Sequence, residues 1–214
     1  MKIYLDSCDI ELITKYRSLG LIDGVTTNPS MIARSLDDSK EIIKKICELI
    51  DTSVSVGVIS TKFHEIIEEA ENLSKIAPQI IVKLPANIDG LSACKVLSNK
   101  SIKVNMTLCF SAAQALFAAK CGATYVSPFV GRLDDIGVDG LKLVQDICKM
   151  FENYPEVSTQ ILAASVRSPL HVIELAKLGV DVITIPPNLI HLITENPLTE
   201  KGVKAFTNDW KTKR

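Results

Sequence analysis

The sequence predicts an α/β fold that closes into an eightfold (β/α)8 TIM barrel, with one extra helix at the C-terminus. Three observations carry this. Short apolar or β-branched runs alternate with longer segments of helical period along the whole sequence, the pattern of βα units on a parallel sheet. Eight such runs can be drawn, and eight parallel strands close a barrel. Their mean spacing of about 26 residues is what one strand, one helix and two short loops require. At 214 residues and 47% hydrophobic content the sequence supports one large core, so residues 1–214 are read as a single domain.

Strands are expected at about 2–6, 22–27, 54–59, 80–84, 103–108, 123–127, 160–165 and 181–185. Between them, 10–19, 39–50, 62–76, 91–97, 111–121, 140–151 and 169–178 carry apolar residues at steps of three and four, which puts them on one helical face. Gly20, Gly122 and Gly179 stand just beyond three of these segments, where a helix ends in a left-handed turn. Two more helices, about 187–195 and 199–213, follow the last strand. The second exceeds the eightfold plan and is expected to dock on a neighbouring subunit; Phe206 and Trp210 share one of its faces.

The formal net charge is -1 and the basic residues are scattered, which argues against a nucleic-acid groove or a membrane-binding face. Six cysteines lie far apart with no C-x-x-C pair, and Met1-Lys2-Ile3 opens no secretory leader, so reduced thiols in a cytoplasm are expected. No apolar run approaches a membrane span. His64, His171 and His191 are isolated, and Gly24, Gly57 and Gly131 form neither a G-x-G-x-x-G nor a P-loop. Neither a metal nor a cofactor is expected. The acidic run Glu65, Glu68, Glu69, Glu71 reads as a solvated helix face.

The fourth strand, Ile80-Ile81-Val82-Lys83-Leu84-Pro85, holds the most informative residue. Strands alternate faces, so Lys83 shares a side with Ile81 while Val82 and Leu84 share the other, and neither side looks wet. Burial disfavours the charged form of an amine, and a neutral lysine attacks carbonyl carbon to form a Schiff base. The alternative is a lysine that snorkels to water or pairs with a carboxylate. Polar residues also end or follow other strands: Asp6 ends the first, Asn28 follows the second, Asn105 and Thr107 end the fifth, Ser127 the sixth and Ser165 the seventh. In such a barrel these C-terminal ends converge on one mouth, where active sites are built. Each polar residue taken singly could instead cap the following helix, except Asn105, which lies within its strand. Arg132 and Arg167 follow the sixth and seventh strands, and a guanidinium pair with a serine hydroxyl makes a phosphate clamp. Amine, carboxylate and clamp together suggest class I aldolase chemistry on a phosphorylated sugar.

These same residues carry a family resemblance. Asp23-Gly24-Val25-Thr26-Thr27-Asn28-Pro29-Ser30 resembles the first transaldolase signature, and Ile81-Val82-Lys83-Leu84-Pro85 resembles the segment holding that family's Schiff-base lysine. Asn105-Met106-Thr107-Leu108, Tyr125-Val126-Ser127-Pro128-Phe129-Val130-Gly131-Arg132 and Ala164-Ser165-Val166-Arg167 follow in the same order. The similarity covers essentially the whole chain and is closest to the short transaldolase-like subfamily that includes fructose-6-phosphate aldolase. It implies Lys83 as the imine-forming nucleophile and Asp6 as the group that moves the sugar hydroxyl proton. Thr107 would hold a catalytic water. Thr27, Asn28, Asn105, Ser127 and Phe129 would surround the dihydroxyacetone moiety, and Arg132, Ser165 and Arg167 would grip phosphate. The implied reaction transfers dihydroxyacetone from sedoheptulose 7-phosphate to glyceraldehyde 3-phosphate, a step of the non-oxidative pentose phosphate pathway. The protonated imine is the electron sink, so no cofactor is needed. The resemblance further implies a homo-oligomer, a pentamer or a decamer.

Two positions separate the readings within that family. The transaldolases carry a glutamate on the third strand that works through the threonine-held water, and the aldolase branch has a glutamine there; Ser55-Val56-Gly57-Val58-Ile59-Ser60 puts Gly57 in its place. Glycine leaves open a rearranged relay, a slow enzyme or a sugar-phosphate binder without turnover. Phe129 stands where the aldolase branch has a tyrosine, which favours transaldolase over fructose-6-phosphate aldolase.

Overall fold

The computed structural model describes residues 1–33 and 38–212. In chain order the elements are β1 (Lys2–Asp6), α1 (Ile10–Ser18), β2 (Gly24–Thr26), α2 (Pro29–Ile32), α3 (Ser39–Leu49), β3 (Val54–Gly57), α4 (Phe63–Ser74), β4 (Ile80–Pro85), α5 (Ile88–Asn99) and β5 (Val104–Cys109). Then come α6 (Ala112–Lys120), β6 (Tyr125–Pro128), α7 (Val130–Asp134), α8 (Gly140–Glu152), β7 (Gln160–Ala163), α9 (Pro169–Lys177), β8 (Val182–Ile185), α10 (Pro187–Thr194) and α11 (Pro197–Thr212). The strands pair in sequence order, all parallel, and β8 returns to β1, so the sheet is a closed eightfold barrel.

All eight expected strands form. The differences lie at their ends and in two short helices. The four-residue α2 and five-residue α7 are too brief to show a period and were not expected. Arg132 therefore sits on a helix rather than in a loop. Helix α5 starts three residues before the expected 91, because the Asn87 side chain accepts the Gly90 N–H and opens the helix there. Strand β5 runs on to Cys109 through a register shift after Met106, where Leu108 takes a positive φ of 56° and stands partly exposed. Gly20, Gly122 and Gly179 have φ of 66°, 85° and 74°, the left-handed helix ends that their positions predict. The last residue of the expected 199–213 helix lies outside the described residues.

Alternation along each strand produces two cores. Outward residues such as Val82, Leu84, Val104 and Met106 join the helices in one large buried cluster. Inward residues Tyr4, Ile81, Tyr125, Leu162 and Val182 fill the barrel. In that inner plug the Tyr4 and Tyr125 hydroxyls lie 3.0 Å apart and their rings meet edge to face. Gly24 makes room for it, since a Cβ there would come within 2.7 Å of Tyr4 Cε1 and 2.8 Å of the Ser53 carbonyl. The plug closes the barrel below Ile81. Two residues further along β4, on the same inward face, comes Lys83. No helix among the described residues is long and apolar enough to cross a membrane.

Candidate active site

The C-terminal ends of the strands open on one cavity of about 720 Å³. Lys83 lines it, and in the ladder it stands beside Gly57 of β3 and Asn105 of β5. Its Nζ donates to the Thr27 carbonyl, just past the end of β2 and two strands away. Burial pushes the amine below its ordinary pKa; the Asp6 carboxylate opposes the shift, and the positive charge of Arg132 adds to it. The amine thus lies in the cavity wall, hydrogen-bonded to a backbone carbonyl and within the field of the Asp6 carboxylate.

The lowered pKa has a consequence for stability. Between the folded and the unfolded pKa of Lys83, the unfolded chain holds more protons, so the group's contribution to stability rises with pH across that window. Below the window the burial penalty is complete. Lys83→Met should therefore raise Tm at neutral pH, and the gain should shrink as pH climbs toward the free-lysine value of about 10.4. Thermal melts of both proteins across that range test it.

Asp6, at the end of β1, reaches the cavity with its Oδ1 accepting the Thr26 hydroxyl at 2.8 Å. With its hydrogen committed there, Thr26 Oγ1 accepts from Thr184 Oγ1 at 2.7 Å, so two hydroxyls from flanking strands orient the carboxylate. Neither threonine was expected at the site. Thr184 carried the same signal that marked Asn105, a lone polar residue inside an apolar strand, Val182-Ile183-Thr184-Ile185. Neither Asp6 nor Ser165 turns out to be a helix cap: Asp9 opens α1 and Ser168 opens α9.

Asn105 is buried and held at both ends. Its Oδ1 accepts from Ser127 Oγ at 2.7 Å, and its Nδ2 donates to Ser55 Oγ at 3.4 Å. Asn28 does cap α2, its Oδ1 accepting the Met31 N–H at 3.0 Å, which leaves its amide N–H groups for the cavity it lines. Thr107 lines the cavity two residues beyond Asn105. Thr27 is the one expected residue whose hydroxyl is not brought to the cavity wall. Its side chain is fully buried and donates to the Ser55 carbonyl, so only its backbone carbonyl, bound to Lys83, serves the site.

Phe129, Arg132, Ser165 and Arg167 gather on the β6 and β7 side of the same cavity. The Arg132 guanidinium lies 4.8 Å from the centre of the Phe129 ring, which packs against Phe110. Arg167 pairs with Asp135 at the end of α7, and its backbone N–H donates to His171 Nδ1, whose Nε2 lies 3.3 Å from Asp134. Gly131 permits this crossing: a Cβ there would lie 2.5 Å from the Ser165 carbonyl and 2.7 Å from Arg167 Cδ and Nε. Ser165 itself holds a φ of 57°, an uncommon conformation for serine that turns the chain over the mouth. Gly57 also lines the cavity and offers it no side chain.

A barrel that desolvates an amine beside an oriented carboxylate and sets two guanidinium groups at its rim, one over an aromatic ring and one paired with Asp135, is built for chemistry on a small polar molecule, the kind of site that aldolase and transferase enzymes use. A family model described as Transaldolase/Fructose-6-phosphate aldolase matches residues 3–213. Over 210 residues the chain is 50% identical to a probable transaldolase of Caldicellulosiruptor saccharolyticus, covering 98% of this chain and 97% of the relative. It is 49% identical to one of Nitrosopumilus maritimus and 47% to one of Myxococcus xanthus, again over 98% of this chain and 95% and 94% of the relatives. The chain belongs to the transaldolase/fructose-6-phosphate aldolase family.

Proposed function

We propose that this protein is a transaldolase working through a Schiff base on Lys83, and the observation that carries the proposal is the desolvated amine at the centre of the polar cavity. The Lys83 nitrogen adds to C2 of sedoheptulose 7-phosphate and water leaves, giving an iminium. Asp6 takes the C4 hydroxyl proton, the C3–C4 bond breaks, and its electron pair moves into the iminium to form an enamine while erythrose 4-phosphate departs. The enamine then attacks the aldehyde carbon of glyceraldehyde 3-phosphate, Asp6 returns its proton, and hydrolysis releases fructose 6-phosphate. Asn28, Asn105 and Ser127 hold the three-carbon unit and Thr107 a water. Arg132, Ser165 and Arg167 receive the phosphate. The names of the relatives support this reading.

Phe129 favours it over fructose-6-phosphate aldolase, because the ring facing the cavity has no hydroxyl to orient water. Gly57 supports a second reading, a barrel that binds phosphosugars with little turnover. A coupled assay offering both phosphosugars, and in parallel fructose 6-phosphate alone with release of free dihydroxyacetone, separates the three: transfer without release marks the transaldolase, release marks the aldolase, and neither marks the binder.

The phosphate assignment makes its own prediction. Arg132→Ala and Arg167→Ala should each weaken phosphosugar binding by about 1.5–3 kcal/mol, the worth of a charge-assisted hydrogen bond. Borohydride trapping of free dihydroxyacetone should survive in both, and equal losses with both ligands would make these arginines supports of the fold.

The reading extends to assembly and location. Helix α11 buries none of its described side chains, and Phe206 and Trp210 are 75% and 69% exposed, which supports a homo-oligomer, a pentamer or a decamer, in which this helix is covered by a neighbour. Six free thiols support a cytoplasmic enzyme.

A further inference from the structure

Glu69 leaves the solvated face assigned to it in the sequence. From the second turn of α4 it reaches back over the loop that joins β3 to that helix, and its Oε1 accepts the Ile59 N–H at 3.0 Å. Its Oε2 accepts the N–H groups of Ile59 and Ser60 at 3.1 and 2.8 Å. The ladder with β4 has ended by this point: Gly57 is the last paired residue and Val58 N–H makes one further bond, to the Lys83 carbonyl. Helix α4 has no side-chain cap at Lys62 to fix its entry. One carboxylate thus supplies the acceptors that two successive backbone donors would otherwise take from water. The loop it holds places Ser60 and Thr61 on the cavity wall, while Glu69 itself stays behind the loop.

We propose that Glu69 is a positioning residue which fixes the β3–α4 loop so that the Ser60 and Thr61 hydroxyls contact the sugar at the end remote from its phosphate. The inference rests on the transaldolase reading for the identity of the sugar. The location follows from topology. In a closed barrel of eight sequential strands β3 stands opposite β7, and the arginines that would take the phosphate follow β6 and β7. A polyol whose phosphate lies at Arg132 and Arg167 and whose carbonyl carbon meets Lys83 turns its hydroxymethyl end toward β3. Gly57 offers no side chain there, so hydroxyls from the loop above are the polar groups that end of the cavity has from this strand's side.

The test measures the ligand concentration giving half-maximal borohydride trapping, with fructose 6-phosphate and with free dihydroxyacetone. Glu69→Ala should raise it by about tenfold for both ligands, in contrast to the arginine variants, which act on the phosphorylated ligand alone. Inhibition by inorganic phosphate should be unchanged, because the clamp lies across the mouth. Glu69→Gln, keeping one acceptor oxygen, should recover part of the loss, and the Ser60→Ala/Thr61→Val pair should reproduce it with the clamp intact. Unchanged trapping in Glu69→Ala, or a matching loss of phosphate inhibition and no effect of the hydroxyl pair, would overturn the proposal. If the wild-type protein forms no adduct, the Schiff-base reading fails by itself; calorimetric titration of fructose 6-phosphate into wild type and Glu69→Ala then decides the positioning role by the same tenfold criterion.

Discussion

Borohydride added together with fructose 6-phosphate should leave one covalent adduct on this protein, on Lys83 and no other lysine. Reduction turns an imine into a stable secondary amine, and only a lysine that is both desolvated and in contact with bound sugar forms that imine at an appreciable rate. Lys83 meets both conditions, lining the cavity with burial holding its pKa low. Lys62, Lys75 and Lys100 lie around the outside of the barrel on α4, α5 and their termini, where nothing brings a ketose to them. Lys83→Ala should abolish the adduct and all turnover, because no other lysine among the described residues stands in the cavity wall. The trapping rate should rise with pH and level off below the value expected of a free amine, about 10.4. The direction follows from the neutral form being the nucleophile. A wild-type protein that binds fructose 6-phosphate by calorimetry yet shows no mass increase after borohydride would leave only the binding reading.

How much of this was legible in the sequence depends on the distance over which each signal acts. Lys83 and Asn105 were visible because a polar residue inside an apolar strand needs a polar interior, and that conflict is local. The hydroxyls of Thr26 and Thr184 were overlooked, although Thr184 posed the same conflict; serine and threonine are common in strands, and their role appears only when β8 closes on β1 and brings them to Asp6. Glu69 could not be read at all. In its helix it is one glutamate among four, and its task exists because an irregular loop ten residues earlier folds back beneath it. The same holds for Thr27, where a signature segment identified the neighbourhood while the backbone carbonyl, rather than the side chain, makes the contact with Lys83. Helices α2 and α7 escaped because a single turn has no period, yet both matter: α2 starts from Asn28 and α7 carries Arg132.

Gly57→Glu should raise transaldolase turnover. Ser55, two residues earlier on β3, points inward to Asn105, so a side chain at Gly57 also points inward, beside Lys83 in the ladder. The backbone there is not in the left-handed region, so an L side chain meets no torsional penalty. Its Cβ would lie 3.0 Å from Pro29 Cδ and 3.4 Å from Cγ, which requires Pro29 to yield by a few tenths of an ångström. Pro29 belongs to α2, a single turn with no fully buried residue, and such an element can move that far without disturbing the core. A carboxylate placed beside Lys83, in the cavity that Thr107 also lines, would supply the base for proton transfer through a threonine-held water, a class of contribution worth roughly 10²- to 10⁴-fold. The same carboxylate favours the ammonium form of Lys83, so the midpoint of trapping against pH should move up and return part of that gain. The expected net result is a kcat about tenfold or more above wild type, a new limb in the pH profile from the carboxylate, and phosphate affinity near its original value. If instead the cavity cannot solvate or pair the added group, a buried unpaired charge lowers Tm. Thermal denaturation therefore accompanies the kinetics: a variant that melts with wild type and turns over no faster would show that proton transfer in this barrel does not run through β3.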